Sequence, residues 1–204
     1  MKIIERLTTV LSLPAAYRSF QRLVGGNIYE RHVAEYIQPQ PAEKLLDIGC
    51  GPGDILEFMP QVQYTGFDIS PEYIEAAKKR FGDKGRFWCG DVGLAALEQE
   101  RGTFHAVTAT GVLHHLDDER AKKLFALAKL ALRPDGRLIT YDGCFVPEQS
   151  RLAAWVLRQD RGKFVRKRED YLRLAAACFP KVEPHVRHDL LRIPYTHLIM
   201  RCSK

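Results

Sequence analysis

The chain has 204 residues, of which 46% are hydrophobic and 27% are charged, a balance typical of one globular domain with a sizeable core. No apolar run approaches the roughly 18 to 20 residues of a membrane-spanning helix, and Glu5 and Arg6 interrupt the N-terminal stretch, which argues against a signal peptide. The net charge is +6, and residues 151–204 carry 13 Lys and Arg against 5 Asp and Glu. This asymmetry predicts a basic face suited to an anionic partner or a membrane surface, although solvated helix surfaces would give the same count.

Short β-like runs alternate with helical patterns along the chain, which predicts a parallel sheet covered by helices. The first helical stripe contains Tyr29, Val33, Tyr36 and Ile37 and ends before Pro39. Strands are then expected at residues 44–48, 64–69, 86–89, 106–109 and 137–141.

Helix signals fill the intervals between these strands. Ser70-Pro71-Glu72 is typical of a helix start, with Ser as the N-cap, Pro at the first helical position and Glu in the first turn. Residues 119–132 predict a core-facing helix. Its apolar stripe consists of Ala121, Leu124, Phe125, Ala128, Ala131 and Leu132. Near the end of the chain, residues 181–186 and 195–201 predict an antiparallel pair of strands that closes the sheet.

A glycine-rich turn follows the first predicted strand, at residues 47–54 (D-I-G-C-G-P-G-D). Glycine lets a ligand approach the backbone closely because it has no Cβ. A dinucleotide-binding turn would read G-x-G-x-x-G, whereas here the third glycine comes one residue early and Asp54 stands in the last place. A carboxylate there would repel a pyrophosphate, but it tolerates a ligand that carries an amino group and a sulfonium.

Two further acids follow the next two predicted strands. Asp68 ends the second strand, where it can accept two hydrogen bonds from a ribose diol, and Asp91 follows the third, where it can accept from an adenine amino group. A lone Asp is more often a cap or a turn residue. With Asp47, however, three acids stand at three successive strand ends, where ligands gather in open α/β sheets.

Together these segments resemble class I S-adenosylmethionine-dependent methyltransferases of the small-molecule type, in the broad group that includes ubiquinone/menaquinone-type enzymes. They occur in family order and spacing between Tyr29 and Tyr141, at residues 46–53, 67–70, 90–92, 111–116 and 132–138. The resemblance implies an α/β, doubly wound, mostly parallel seven-stranded sheet with helices on both faces and an antiparallel C-terminal strand, the Rossmann-like methyltransferase fold.

The resemblance also implies one domain over residues 1–204. Within it we expect an N-terminal helical lid (1–40), a cofactor-binding core (41–142), substrate-recognition helices (143–178) and closing strands (179–204).

The cofactor implied by the resemblance is S-adenosyl-L-methionine, with S-adenosyl-L-homocysteine as the product. Gly49 and Gly51 would meet its methionine part, Asp68 its ribose and Ile69 its adenine face, while Thr110 would lie opposite the sulfonium. The full set of implied cofactor-binding residues is Asp47, Gly49, Cys50, Gly51, Asp68, Ile69, Asp91, Val92 and Thr110.

Methyl transfer to a hydroxyl requires an aligned nucleophile and the removal of a proton. His114 and His115 follow the fourth predicted strand, on the loop that bounds the substrate side in this fold. A neutral imidazole can accept a proton near pH 7, so His115 is a candidate general base, although the pair can also serve only to shape the pocket. His114, Asp142 and Tyr17 are candidates for substrate contact, against the commoner roles of a structural imidazole, an exposed turn acid and a packing aromatic.

The basic segment 151–173 lies where this family inserts substrate-recognition helices. Its cluster of Lys163, Arg166, Lys167 and Arg168 is suited to grip phosphate or carboxylate. We therefore expect a small-molecule or glycan acceptor that is phosphorylated or acidic. Nucleic acid is less favoured, because aromatic residues are sparse in the segment and no RNA or DNA module accompanies it. Peripheral membrane contact stays open.

The same residues also bear on other classes of protein. A nucleotide-binding oxidoreductase is disfavoured by the glycine spacing and by Asp91, whereas a non-catalytic, cofactor-binding regulatory protein and a nucleic-acid methyltransferase stay as alternatives. The five cysteines lack C-x-x-C spacing, which argues against a zinc site or a disulfide framework. We therefore expect no bound metal, reduced thiols and a cytoplasmic setting.

Overall fold

The computed structural model describes residues 27–59, 61–90, 100–160 and 162–204. The strands in these residues are β1 (Lys44–Ile48), β2 (Gln63–Asp68), β3 (Gly85–Cys89), β4 (Phe104–Thr110), β5 (Leu132–Phe145), β6 (Arg166–Lys167), β7 (Lys181–Arg187) and β8 (His197–Ser203). The α-helices are α1 (Ile28–His32), α2 (Pro71–Phe81), α3 (Asp118–Ala131), α4 (Arg151–Arg158) and α5 (Arg168–Ala176). A π-helical turn (Val33–Ile37) continues α1, and 3₁₀ helices follow β1 (Asp54–Phe58) and β4 (Leu113–His115).

The strands of the sheet lie in the order β3-β2-β1-β4-β5-β8-β7, and the two-residue β6 pairs with the end of β5. Strands β1 to β5 pair in parallel, whereas β8 pairs antiparallel with both β5 and β7. The strand order reverses at β1, which has β2 on one side and β4 on the other, and ligands of open α/β sheets bind at such a reversal. The carboxyl ends of β1, β2, β4 and β5 therefore share one edge, and this edge carries the candidate site.

The expected doubly wound, mostly parallel sheet with an antiparallel closing pair is confirmed. The largest difference concerns β5, which begins at Leu132 and not at the expected residue 137, and whose pairing with β4 is irregular before Arg137. The same strand continues to Phe145, where it pairs with β6, so the sheet has an eighth, two-residue strand.

The helix signals are largely confirmed. The Ser70 hydroxyl accepts a hydrogen bond from the Tyr73 N–H at 3.3 Å, and Pro71 is the first residue of α2. The side chains expected on the stripe of α3 are all buried. The glycine turn, in contrast, leads into a 3₁₀ helix of five residues, Asp54–Phe58, and not into a longer α-helix.

The sheet separates two apolar clusters. In β1, Leu46 and Ile48 belong to the cluster that contains residues of α3 and α5, whereas Leu45 belongs to the cluster that contains residues of α1 and α2. This alternation follows from the two-residue period of a strand, and apolar residues on both faces are typical of a parallel sheet covered on both sides. Among the described helices, none is long and apolar enough to cross a bilayer.

Arg137 in β5 fixes the N-terminal helical segment to the sheet. Its guanidinium donates to both carboxylate oxygens of Glu43, at 3.1 and 2.8 Å, and to the carbonyl oxygen of Ile37, at 3.1 and 2.9 Å. The two charged side chains are only 13% and 12% exposed, so solvent screens their attraction less than that of a surface pair. Burial raises the pKa of Glu43, but the hydrogen bonds from Arg137 and from the Gln40 N–H, together with the charge of Arg137, outweigh it and hold the pKa below its ordinary value of 4.5.

Arg137→Gln should lower the free energy of unfolding by about 1–3 kcal/mol, because Glu43 and the Ile37 carbonyl stay mostly buried and lose a charged donor. Urea denaturation at pH 7 measures this loss. The contribution of the pair is present above the ordinary pKa of Glu43 and is lost as the pH falls through the lowered value, so the gap between wild type and variant should narrow in acid.

Arg133→Gln is the matched control, since it removes the same charge from the same strand. Arg133 and its partner Asp135 are 40% and 70% exposed, so this loss should stay below about 1 kcal/mol. Equal losses in the two variants would contradict the role given to Arg137.

Candidate functional site

The glycine turn after β1 is held by contacts on two sides. The N–H groups of Gly49 and Cys50 both donate to the carbonyl oxygen of Phe67 in β2, at 2.8 and 2.9 Å. Gly49 has a φ of +73°, and a Cβ there would lie 2.5 Å from Cγ2 of Val112. Only glycine permits this approach between the turn and the segment that follows β4.

Asp68, the last residue of β2, binds the turn through its side chain. Its Oδ2 accepts a hydrogen bond from the Gly51 N–H at 2.8 Å, and its Oδ1 accepts from the Ser70 N–H at 2.9 Å. Each carboxylate oxygen has a second lone pair, so the group can still accept from the hydroxyls of a sugar diol. The space where a Cβ of Gly51 would stand is open, because no described atom outside residues 50–52 lies within 4 Å of it. A ligand can therefore meet the turn and Asp68 together.

Ile69 and Thr110 lie at the same edge of the sheet. Ile69 is 77% exposed, a notable position for a large apolar side chain, and it follows Asp68 directly. Thr110 ends β4, and its hydroxyl lies 3.5 Å from Nε2 of His32. The edge therefore offers an apolar surface beside a carboxylate. Three other expected contacts, Asp91, Val92 and Tyr17, lie outside the described residues.

Asp47 and Cys50 are placed inside the protein. The Asp47 carboxylate is 2% exposed and accepts hydrogen bonds from the hydroxyls of Tyr64, at 2.6 Å, and Thr108, at 2.8 Å. Burial raises the pKa of Asp47 to about 6, against the effect of these two hydrogen bonds. Cys50 is also buried, and burial raises the pKa of its thiol. Asp47 thus joins β1 to β2 and β4 below the turn.

His114, in the 3₁₀ helix after β4, and Asp142, within β5, form a buried pair. Oδ1 of Asp142 accepts from the backbone N–H of His114 at 3.1 Å and lies 2.8 Å from its ring Nδ1. Asp142, a candidate for substrate contact, is not an exposed turn acid, since the residue is 2% exposed and lies within the buried stretch of β5. His115 is exposed, and its ring centroid lies 4.2 Å from that of His114.

Asp160 approaches His114 from the other side. Its Oδ1 lies 3.6 Å from Nε2 of His114 and accepts from the Gly162 N–H at 2.7 Å, while its Oδ2 accepts from the Tyr195 hydroxyl at 2.6 Å. Gly162 packs directly on the imidazole, because a Cβ there would lie 2.1 Å from Cδ2 of His114. No local signal marks the pairing of Asp160 with Tyr195, because the two residues are 35 positions apart in the chain.

Arg166 binds the loop after β4 that contains His114 and His115. Its guanidinium donates to the carbonyl oxygens of Leu113, at 2.9 Å, and Leu116, at 2.6 Å, and it makes two hydrogen bonds with Asp118. Arg166 is 9% exposed. The expectation that it grips an anionic ligand is therefore wrong, because its donors are committed to the protein. Lys163 and Lys167 of the same cluster are exposed.

A group of aromatic rings in edge-on and tilted contact borders the His114–Asp142 pair. The ring centroid of Tyr141 lies 4.9 Å from that of His32 and 4.6 Å from that of His197, and the ring of Tyr195 follows at 4.5 Å from His197. Burial lowers the pKa of His32 and of His197 to about 3, so both imidazoles are neutral. Among the described residues, Nδ1 of each has no hydrogen-bond partner.

Within the described residues, no three His, Cys, Asp or Glu side chains are grouped as a metal site requires. A separate concavity of about 550 Å³ is lined by Lys44, Gln63 and Gly85, the first residues of β1, β2 and β3. It lies at the opposite end of the strands from Asp68 and is not part of the candidate site.

Residues 45–136 match a family model described as "Methyltransferase domain". The chain is 36% identical over 107 residues to a ubiquinone/menaquinone biosynthesis C-methyltransferase of Desulfotalea psychrophila, a match that covers 50% of this chain and 42% of that protein. It is 29% identical over 98 residues to a malonyl-[acyl-carrier protein] O-methyltransferase of Legionella pneumophila, covering 46% of this chain and 34% of that protein. It is 30% identical over 112 residues to a probable tRNA methyltransferase 9B of Bos taurus, covering 53% and 23%. The chain thus spans less than half the length of these relatives.

Solved structures share the fold at low sequence identity. A geranyl diphosphate methyltransferase in complex with GPP and sinefungin has a TM-score of 0.66 and 19% identity, covering 85% of this chain and 77% of that chain. The geranyl diphosphate C-methyltransferase of Streptomyces coelicolor, in complex with Mg²⁺, geranyl-S-thiolodiphosphate and S-adenosyl-L-homocysteine, has a TM-score of 0.64 and 16% identity, covering 85% and 74%. Residues 45–136 therefore resemble a methyltransferase domain, and the sheet that contains them has the Rossmann-like fold of these methyltransferase structures.

Proposed function

We propose that the protein transfers the methyl group of S-adenosyl-L-methionine to a small-molecule acceptor. The observation that carries the proposal is the hydrogen bond of 2.8 Å between Asp68 and the Gly51 N–H, which joins the second strand to the glycine turn inside the family-matched segment. The methyltransferase names of the relatives support the same activity, as do the complexes of the structural neighbours with S-adenosyl-L-homocysteine and sinefungin.

The residues at the carboxyl edge fit this cofactor in their chemistry. Asp68 has acceptor capacity for the ribose hydroxyls, the open space at Gly51 admits the amino-acid part, and the exposed Ile69 offers an apolar face to the adenine. We assign Asp47 a positioning role, because both of its oxygens already accept hydrogen bonds within the sheet. Asp91 and Val92 stay predictions for the adenine edge.

When bound, S-adenosyl-L-methionine supplies an electrophilic methyl carbon on a sulfonium. The protein must align the acceptor for in-line displacement, which can supply several kcal/mol of the barrier, up to about 7–11 in favourable cases. The loop that contains His114 is suited to this task, because Arg166 holds it through the carbonyls of Leu113 and Leu116. A rigid loop at the acceptor side keeps the nucleophile in one position.

For the acceptor we propose an acidic or phosphorylated small molecule or glycan. Lys163 and Lys167 support this, since they are exposed and follow α4, close in the chain to Asp160 and Arg166. Transfer to RNA is a second candidate, favoured by the relative named as a tRNA methyltransferase. The names of the relatives point to different acceptors, so none is carried over. A cytoplasmic setting, the division into lid, core and recognition segments, and membrane contact stay predictions.

Isothermal titration calorimetry should show that the protein binds S-adenosyl-L-methionine and S-adenosyl-L-homocysteine with a Kd in roughly the 1 μM–1 mM range usual for enzyme substrates. NAD should give no heat, because the glycine spacing and Asp54 do not suit a pyrophosphate. Binding of NAD without binding of either sulfur nucleotide would contradict the methyltransferase proposal.

Asp68→Ala should weaken binding of S-adenosyl-L-homocysteine by about 1–3 kcal/mol, because the ribose hydroxyls and the Gly51 N–H lose their acceptor. Asp68→Asn keeps one acceptor oxygen and should lose less. The control is Asp83→Ala, which removes the same charge from an exposed turn at the other end of the strands. Calorimetry on the three variants measures the effect, and an Asp68→Ala variant with unchanged affinity would mean that the ribose is held elsewhere.

The acceptor class can be assigned with methyl-labelled S-adenosyl-L-methionine and three pools: phosphorylated or acidic small molecules, neutral phenols, and tRNA. We expect the label in the acidic pool. Lys163→Gln should raise the KM of such an acceptor about 2- to 5-fold at unchanged kcat, the size of a surface charge interaction. Lys123→Gln, an exposed change on α3, is the control. Label in tRNA alone would overturn the small-molecule assignment.

A further inference from the structure

His114 lies between two carboxylates that come from different parts of the chain. Asp142 of β5 contacts Nδ1 at 2.8 Å, whereas Asp160, in the link after α4, lies 3.6 Å from Nε2, beyond hydrogen-bonding distance. Nδ1 is therefore committed to Asp142, and Nε2 is the ring nitrogen that can still exchange a proton with another group.

We propose that His114, held by Asp142, is the group that takes the proton from the acceptor's nucleophilic oxygen, with Asp160 stabilising the resulting imidazolium. The proposal rests on the methyl-transfer function proposed above and deepens it, because it assigns the acceptor a protic nucleophile, a hydroxyl or an acid. It gives the catalytic role to His114 and a positioning role to Asp142.

The hydrogen bond from Nδ1 to Asp142 sets the tautomer. With the proton on Nδ1 donated to Oδ1 of Asp142, Nε2 of the neutral ring carries the lone pair that a base needs. The other carboxylate oxygen of Asp142, Oδ2, is buried and has no hydrogen-bond partner among the described residues. A buried oxygen without a hydrogen-bond donor costs free energy. A hydrogen-bond donor on the bound methyl acceptor would therefore be stabilised at Oδ2.

The surroundings of His114 favour the charged ring once it has formed. Burial lowers the pKa of His114, but the hydrogen bond and charge of Asp142 and the charge of Asp160 outweigh it and raise the pKa above its ordinary value of 6.5. Two further titratable groups of the described residues lie near the ring: the neighbouring His115 and, from β8, His197, which burial keeps neutral. Tyr195 holds Asp160 in place through its hydroxyl.

The reaction balances with these groups alone. The acceptor O–H bond breaks as its proton passes to Nε2 of His114, and the oxygen forms a bond to the methyl carbon. The carbon–sulfur bond breaks with its electron pair on sulfur, which gives S-adenosyl-L-homocysteine. The proton then leaves the imidazolium to solvent, since the ring is not fully buried and is 9% exposed at the residue level.

A test that needs no identified acceptor is nuclear magnetic resonance of the full-length protein with ¹⁵N-labelled histidine. The His114 signal, assigned with His114→Gln, is titrated in the free protein, with S-adenosyl-L-homocysteine, and with S-adenosyl-L-methionine. The sulfonium should lower the pKa of His114 by about 0.5 to 2 pH units, the Coulomb range for unit charges about 6 Å apart at effective dielectric constants of about 80 to 20. The uncharged product should lower it less, and the other histidines serve as internal references.

Two variants separate the assigned roles. Asp160→Asn should lower the pKa of His114 in the free protein while the proton stays on Nδ1, because only the charge near Nε2 is removed. Asp142→Asn should lower the pKa and also change the ¹⁵N shifts that report the tautomer. His115→Gln should leave the His114 titration in place.

The outcomes are distinct. If calorimetry shows that S-adenosyl-L-methionine binds but the pKa of His114 does not respond, or if only the His115 signal responds, the role given to His114 is overturned. If the cofactor does not bind at all, the proposed function itself is contradicted. A response of His114 that is lost in Asp142→Asn supports the assignment.

Discussion

The carboxylate of Asp68 connects the parts of the candidate cofactor site. It accepts from the Gly51 N–H in the turn after β1 and from the Ser70 N–H at the start of α2, so one side chain fixes two segments of the crevice. The parallel register makes this possible, since Asp47 of β1 stands beside Gly66 of β2 and the two strands end together. A charge-assisted hydrogen bond is stronger than a neutral one, and here it holds the glycine turn open. The rest of the edge is arranged around that turn.

On the acceptor side, a cationic side chain binds groups of the protein itself and not a ligand. Arg166 belongs to a basic cluster, yet its donors are used by the backbone carbonyls of Leu113 and Leu116 and by Asp118. The link after α4 is thereby joined to the loop after β4, and Gly162 and Asp160 are brought against His114. The basic residues counted in the sequence are therefore more numerous than the cations that are available to an anionic methyl acceptor.

Much of the sheet and of the cofactor side could be predicted from the sequence, because these features depend on local patterns. The bounds of β1, the N-cap at Ser70 and the acid at the end of β2 follow from periodicity, capping and turn chemistry within a few residues. The pairing of Asp160 with His114 and Tyr195 depends on the folding of distant segments, and no local signal marks it. The burial of Asp142 within β5 could not be predicted for the same reason, because it depends on which distant residues pack over that part of the strand.

The raised pKa of Asp47 couples the folding of the sheet to proton uptake. In the unfolded chain its carboxyl releases its proton near the ordinary pKa of 3.8, whereas in the folded sheet the pKa is about 6. Between these two values the folded protein binds a proton at Asp47 that the unfolded chain has lost, so this residue favours folding most in acid and progressively less as the pH rises to 6. Above that pH the residue holds a buried negative charge, which the hydroxyls of Tyr64 and Thr108 stabilise by hydrogen bonds. The contribution of Asp47 to the stability of β1, the strand that leads into the glycine turn, is therefore smallest at neutral pH, where its carboxyl group is ionised.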